Sequence, residues 1–212
     1  MKHILLLGGP NPAHQPRDVA AYVADHLEMT GEVKVTLTED AGILETPAVD
    51  AYDAILLYLN TKDARWPQAR EAAFRKALSR GKGLLVLHAG VLSFRGWEDY
   101  TQLIGGSPSP DFYHPPYGPF AVQIDDSAHP ITARMVDFAV RDELYANVQL
   151  TPEAHLLAHA TLNGNVQPLL WVVEHPQTRV CTLLLGHDRA ALQYPGASTL
   201  LRRGVAWVAG AL

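Results

Sequence analysis

Four short apolar runs, each ending in small or polar residues, constrain this chain more than any other feature. Ile4–Leu7 runs into Gly8-Gly9, and Ala54–Leu59 into Asn60-Thr61. Gly83–Leu87 runs into His88-Ala89-Gly90, and Val180–Leu185 into Gly186-His187-Asp188. Such runs do not alternate, so they read as strands buried on both faces. Helical spacing fills the gaps between the early runs. Pro16–Met29 carries Val19, Tyr22, Val23, His26 and Leu27 on one face, with Gly31 as a stop. Pro67–Leu78 gathers Ala73, Phe74, Ala77 and Leu78 before Gly81. Ser93–Ile104 is expected to form a helix stopped by Gly105-Gly106. Buried strands alternating with helices define an α/β fold, here a flavodoxin-like, doubly wound, mostly parallel sheet.

The second half changes character. Ser107–Pro119 is rich in proline, glycine and aromatic residues and reads as a structured loop, serving as a lid or a homodimer surface. Phe120–Ile124, Ala154–Ala160, Pro168–Val173 and Val180–Leu185 read as strands with short, helix-poor connections. Short connections imply antiparallel additions to the sheet. Thr199–Ala209 reads as a closing helix packed through Leu200, Leu201, Val205 and Val208.

Composition narrows the function classes. The chain has 212 residues, 48% of them hydrophobic, enough for one domain spanning 1–212 and too apolar for disorder. A net charge of −5 without a basic cluster argues against nucleic acid as a partner. No apolar run approaches the roughly 20 residues needed to cross a bilayer. The first run is too short for a secretion signal, so the expected location is the cytoplasm. A single cysteine, Cys181, excludes an internal disulfide and a multi-cysteine zinc site. It lies inside an apolar run and reads as packing. Neither a Gly-x-Ser-x-Gly elbow, a His-Glu-x-x-His helix nor a phosphate loop is present.

In a doubly wound sheet the ligand crevice lies beyond the carboxyl ends of the strands. If the four runs are parallel neighbours, their polar tips share one crevice. His88 precedes Ala89-Gly90, where small residues permit a sharp strand-to-helix bend like a nucleophile elbow. The alternative is a core histidine bonded to a carbonyl. Asn60-Thr61 serves equally well as a cap for the next segment. His187-Asp188 follows Gly186 as His88 follows Leu87. Arg141-Asp142-Glu143-Leu144-Tyr145 places three charges before an apolar pair, and its alternative is a solvated turn. Phe112–Tyr117 offers aromatic faces and the His114 imidazole. Imidazole and carboxylate together suit a divalent metal, zinc in particular, and His88, His114, Glu143 and His187 are candidate ligands.

Taken in order, nine stretches resemble the trehalose-utilisation (ThuA-like) family, part of the class I glutamine-amidotransferase-like group. They begin with Leu7-Gly8-Gly9 with His14, Leu59-Asn60-Thr61 and Gly83–Ala89. Phe94-Arg95-Gly96-Trp97, Ile104-Gly105-Gly106 and His129-Pro130-Ile131-Thr132 follow. Asp142-Glu143-Leu144-Tyr145, Leu185-Gly186-His187-Asp188 and Leu201–Trp207 complete the series. The resemblance covers almost the whole chain. It implies a bacterial cytoplasmic protein of trehalose or related disaccharide catabolism, with oxidised (keto) sugars as substrates. It also implies that the amidotransferase cysteine is lacking, in keeping with His88. The chain departs from the family pattern at Pro10-Asn11-Pro12-Ala13, where typical members carry a histidine directly after the glycines.

Two functions are consistent with these residues. In the first, an enzyme uses His88 or His187 as general base, with Glu143 as partner acid or metal ligand. His14, Asn60, His114, Asp142, Tyr145 and Asp188 would then contact the sugar. In the second, the same crevice belongs to a non-catalytic carbohydrate-binding or regulatory protein on an inherited enzyme fold.

Overall fold

The computed structural model describes residues 1–9 and 16–212. His14 and the Pro10–Ala13 departure lie outside the described residues. In chain order the first strands are β1 (Lys2–Leu7), β2 (Val33–Thr38), β3 (Ala54–Leu57) and β4 (Gly83–Leu87). β5 (Gly106–Tyr113), β6 (Gly118–Ile124), β7 (Phe138–Asp142) and β8 (Ala146–Leu150) follow. The last are β9 (His155–Leu162), β10 (Asn165–Glu174) and β11 (Arg179–Leu183). The helices are α1 (Pro16–Glu28), α2 (Gln68–Ser79), α3 (Glu98–Ile104), α4 (Arg189–Leu192) and α5 (Pro195–Val208).

One sheet runs β2-β1-β3-β4-β11-β10-β9-β6-β7 among the described residues, with β5 and β8 paired separately. β2, β1, β3, β4 and β11 are parallel, and every pairing from β11 outward is antiparallel. The parallel half has the flavodoxin-like order, with its switch point between β1 and β3. β3 and β4 are buried along their whole length, as their unbroken apolar runs require. Regular pairing of the β3 run stops at Leu57, although Tyr58 N–H still bonds Leu7 O at 3.0 Å.

Helices cover both faces. A Cβ added at Gly204 of α5 would contact Cys181 Sγ, whereas Thr182 Oγ1 donates to Ile104 O of α3. Successive strand residues point to opposite faces, so α5 and α3 lie on opposite sides of β11. α1 joins the α5 layer through the Ser198 Oγ to His26 Nε2 bond of 2.8 Å. Gly105 ends α3 in left-handed backbone at φ 74°, as the sequence anticipated.

Three expectations need correction. The segment 93–97 is not helical. Phe94 and Gly96 take φ 55° and 78°, and the chain is tied to the β3 tip instead. Phe94 N–H donates to Thr61 Oγ1 and Arg95 N–H to Lys62 O. The stretch 107–119, read as a loop, begins as β5. It pairs with β8 through Gly106–Pro108 and again at Tyr113, with an irregularity between them where Pro110 lacks a donor. The stretch 138–150, not read as strand, forms β7 and β8. β7 is an edge strand of five residues, too short to show a clear alternation.

β4 begins directly beneath the end of α5. A Cβ at Gly83 would lie 2.0 Å from Val208 O, a backbone atom that cannot swing away. Gly83→Ala is therefore expected to destabilise the chain by more than about 2 kcal/mol, measured by urea unfolding. Gly31→Ala has open space around it and should cost only about 1 kcal/mol through its positive φ.

Candidate functional site

The tips of β1, β3, β4 and β11 lie side by side, because these strands are consecutive parallel neighbours. His88 is the first residue past β4 and opens a 3-10 turn, His88–Leu92, with φ 45°. Positive φ is uncommon outside glycine, and here it marks a sharp bend at a strand tip. The return is tight. A Cβ at Gly90 would sit 2.7 Å from Val86 Cγ1 and 3.2 Å from Leu57 O.

The His88 imidazole is fully buried. Its Nδ1 lies 2.7 Å from Leu184 O, and a carbonyl only accepts, so Nδ1 carries the proton. In the neutral ring Nε2 is then a lone pair aimed at the site. Tyr145 Oη is 3.1 Å from Nε2 and donates to it, its ring stacked on the imidazole at 4.5 Å. Glu143 Oε2 is 3.4 Å from the same nitrogen. His187 Nδ1 reaches Glu143 Oε2 at 3.3 Å, and His114 Nδ1 reaches Oε1 at 3.1 Å. Three imidazoles thus surround one carboxylate. The ligand atoms of His88, Glu143 and His187 all lie within 4.8 Å of one another.

Asp142 builds this arrangement. Its buried carboxylate accepts N–H bonds from Glu143 at 2.8 Å, Gly186 at 2.7 Å and His187 at 3.1 Å. β7 is four strands from β11, which in a flat sheet means about 19 Å. The antiparallel half must therefore curl so that the end of β7 returns to the β11 tip. Register irregularities between β10 and β9 around Pro168–Trp171 assist the bend. Gly186, at φ 115°, turns the β11 tip so that its N–H and that of His187 face Asp142.

Electrostatics follow from burial and charge. Burial pushes the Asp142 carboxyl above its ordinary value, against the pull of His88 and the three backbone donors. Its hydrogen bond to Glu143 raises the His187 imidazole despite partial burial. Burial and the Asp188 charge push the Tyr117 hydroxyl up to about 12. The Tyr58 and Tyr145 hydroxyls are raised by burial and by neighbouring carboxylates, and both stay protonated.

The candidate residues fall into distinct places. His88, His114, Glu143, His187 and Tyr145 meet at one centre. Asp142, expected to contact sugar, faces backbone donors and positions Glu143 and His187. Asp188, also expected at the sugar, caps α4 through Ala191 N–H at 2.8 Å and receives the Tyr117 hydroxyl at 3.4 Å. Asn60 Oδ1 accepts from Lys62 N–H, a local turn, and its side chain lines a neighbouring hollow at the β1 and β3 tips. His88 is fully buried, whereas His114 and His187 are partly exposed at the same centre. The Tyr117 ring of the aromatic loop lies 5.5 Å from that of His187. One neighbour was not anticipated: Tyr58, whose Oη lies 3.5 Å from His187 O. A tyrosine inside an otherwise aliphatic run, near Asn60, was the available signal for it.

A doubly wound core with helices on both faces and a histidine–carboxylate centre at an elbow defines the class. It is a class I amidotransferase-like fold whose sole thiol, Cys181, is buried within β11. The family model described as trehalose utilisation (ThuA) matches residues 3–208, and the chain belongs to that family. A ThuA-like protein of Parabacteroides merdae shares the fold at a TM-score of 0.87 and 20% identity, over 98% of this chain and 90% of that one. A ThuA-like protein of Bacteroides uniformis matches at 0.76 and 20% identity, over 97% and 89%. A Thermoplasma acidophilum protein described as a GMP synthase subunit matches at 0.57 and 14%, over 98% and 96%. No curated protein sequence matches. No helix among the described residues is long and apolar enough to cross a membrane.

Removing the Asp142 carboxylate would strand three buried donors. Asp142→Ala is expected to destabilise the chain by about 2–4 kcal/mol in urea unfolding, against about 1 kcal/mol for the Asp188→Ala cap variant.

Proposed function

We propose that the chain is an enzyme of disaccharide catabolism that acts on an oxidised, keto form of the sugar at a divalent-metal centre formed by His88, Glu143 and His187. The convergence of His88 Nε2, Glu143 Oε2 and His187 Nδ1 carries this reading. Two aspects of that geometry fit a metal. The Leu184 carbonyl fixes the His88 tautomer that leaves Nε2 as a ligand, the usual outer-layer arrangement of metal-bound histidine. The Glu143 separations of 3.4 and 3.3 Å approach the tetrahedron edge of about 3.3–3.4 Å expected for zinc bonds of about 2.0–2.1 Å, and the two histidine nitrogens, within 4.8 Å of each other, would close to the same edge on binding.

Bound there, zinc would polarise a sugar carbonyl oxygen and acidify the adjacent C–H bond. His114 is the imidazole suited to the proton. It is 53% exposed, whereas His187 is 27% exposed and held against Glu143. Glu143 Oε1 stabilises the His114 imidazolium as it forms. The proton would then go to the former carbonyl carbon in an isomerisation, with the adjacent hydroxyl proton passing to the former carbonyl oxygen, or to a departing glycosidic oxygen in an elimination. Asp142 keeps Glu143 and His187 in place, and Tyr145, stacked on the His88 ring, would turn its hydroxyl from Nε2 to the adjacent Glu143 carboxylate when a metal occupies that lone pair.

The buried, carbonyl-bonded His88 favours one rival, a carbohydrate-binding protein without turnover. Elemental analysis of purified protein and proton exchange on keto-trehalose separate the two. The expected results are about one zinc per chain and deuterium incorporation beside the carbonyl in D2O. Glu143→Gln should lose most of the metal and the exchange, and His114→Ala the exchange alone. Metal-free protein with full exchange would overturn the metal centre. Binding without exchange would favour the rival.

A further inference from the structure

The β1/β3 switch point carries a hollow of about 540 Å³, within the range of small-molecule sites. It opens where an open α/β sheet ordinarily receives its ligand. The histidine centre lies further along the same edge, at the tips of β4 and β11. With strands about 4.8 Å apart, the middle of the β1/β3 gap lies about 7 Å from the β4 tip. The two places share a wall. Thr61 N–H donates to Ser93 Oγ, which donates to Leu59 O, and both connect to the segment that leaves the His88 turn. A ligand that spans the hollow and the centre therefore meets one rigid surface.

The lining selects a neutral polyol. Leu59 and the half-buried Trp66 ring supply the apolar side, and Asn60, Glu39 and Asp40 the polar side. Trp66 is held edge-on by Phe94 at 4.8 Å and Phe74 at 5.5 Å, so its position is fixed before a ligand arrives. Of the charged lining, Arg65 and Arg70 are engaged by Glu71 and Glu45, and Glu39 by Arg17. Lys62 and Asp40 carry opposite charges, so the lining as a whole favours a neutral ligand over an anion. A pyranose presents an apolar C–H face and a rim of hydroxyls, and this combination of surfaces matches both.

We infer that the hollow formed by Leu59, Asn60, Trp66, Glu39 and Asp40 is the subsite for the second, non-reacting ring of a disaccharide whose first ring lies at the histidine centre. The inference rests on the functional reading above and adds the determinant that separates disaccharides from monosaccharides. Trp66 contributes the apolar face, and Asn60 and the two carboxylates contact the hydroxyl rim.

Calorimetric titration with keto-trehalose and with keto-glucose tests it, on His114→Ala protein, which is expected not to turn the sugars over, and on the same protein carrying Trp66→Leu, Trp66→Phe or Glu143→Gln. The parent should bind keto-trehalose at least about tenfold more tightly than keto-glucose. Trp66→Leu should remove that preference while leaving keto-glucose binding unchanged, and Trp66→Phe, which keeps a ring, should retain most of it. Glu143→Gln should weaken both sugars together. A disaccharide preference that survives Trp66→Leu, with both sugars weakened by Glu143→Gln, overturns the subsite and leaves the centre standing. Equal weakening of both sugars by Trp66→Leu also overturns it. A wild type and parent that bind neither keto sugar overturn the functional reading and the subsite together.

Discussion

The buried Asp142 carboxylate joins the two halves of this sheet. Its three backbone donors come from Glu143 on one side and from Gly186 and His187 on the other. That knot fixes the end of β7 against the tip of β11, which four strand positions separate in the sheet and which α5 also bridges through Gly196 against the Phe138 ring. Three N–H groups buried together need an acceptor, and a carboxylate with two oxygens meets that need. Everything chemical follows from the knot. Glu143 is the next residue in the chain and His187 is one of the donors, so both are delivered to His88 by the same contact.

His88 is fixed by different means. A strand tip with positive φ, a glycine two residues on and a carbonyl on Nδ1 hold its ring, and Tyr145 covers one face. The ring is thus both things the sequence allowed, a core histidine bonded to a carbonyl and a residue at an elbow. The ring is fully buried with Nε2 turned toward Glu143, the orientation on which the proposed ligand role rests. His114 and His187 are partly exposed and reach Glu143 from separate loops.

The parallel half was legible because its strands are buried on both faces and therefore show continuous apolar runs. The four polar tips followed from that, and His88 and His187 with them. The antiparallel half was less legible. β7 is short and at the edge, and its last residue is the charged Asp142, so the stretch 141–143 stood out as candidate site residues, with a solvated turn as the alternative, and not as the end of a strand. Nothing local in Asp142 says that two of its three donors, Gly186 and His187, lie 44 and 45 residues away. The helix expected from Ser93 failed for a similar reason. Phe94 and Arg95 carry good side chains for a helix but give their N–H groups to the β3 tip. Asn60 and Asp188 were identified as polar tip residues, and each also makes a local hydrogen bond, from Lys62 N–H and Ala191 N–H respectively.

The central claim is that His88, Glu143 and His187 act as one ligand set. X-ray absorption at the zinc edge of the purified protein tests it most directly. The account predicts a four-coordinate shell of nitrogen and oxygen at about 2.0–2.1 Å, with the outer scattering of two imidazoles. A sulfur shell at about 2.3 Å, or a shell of oxygens without imidazole scattering, would contradict it.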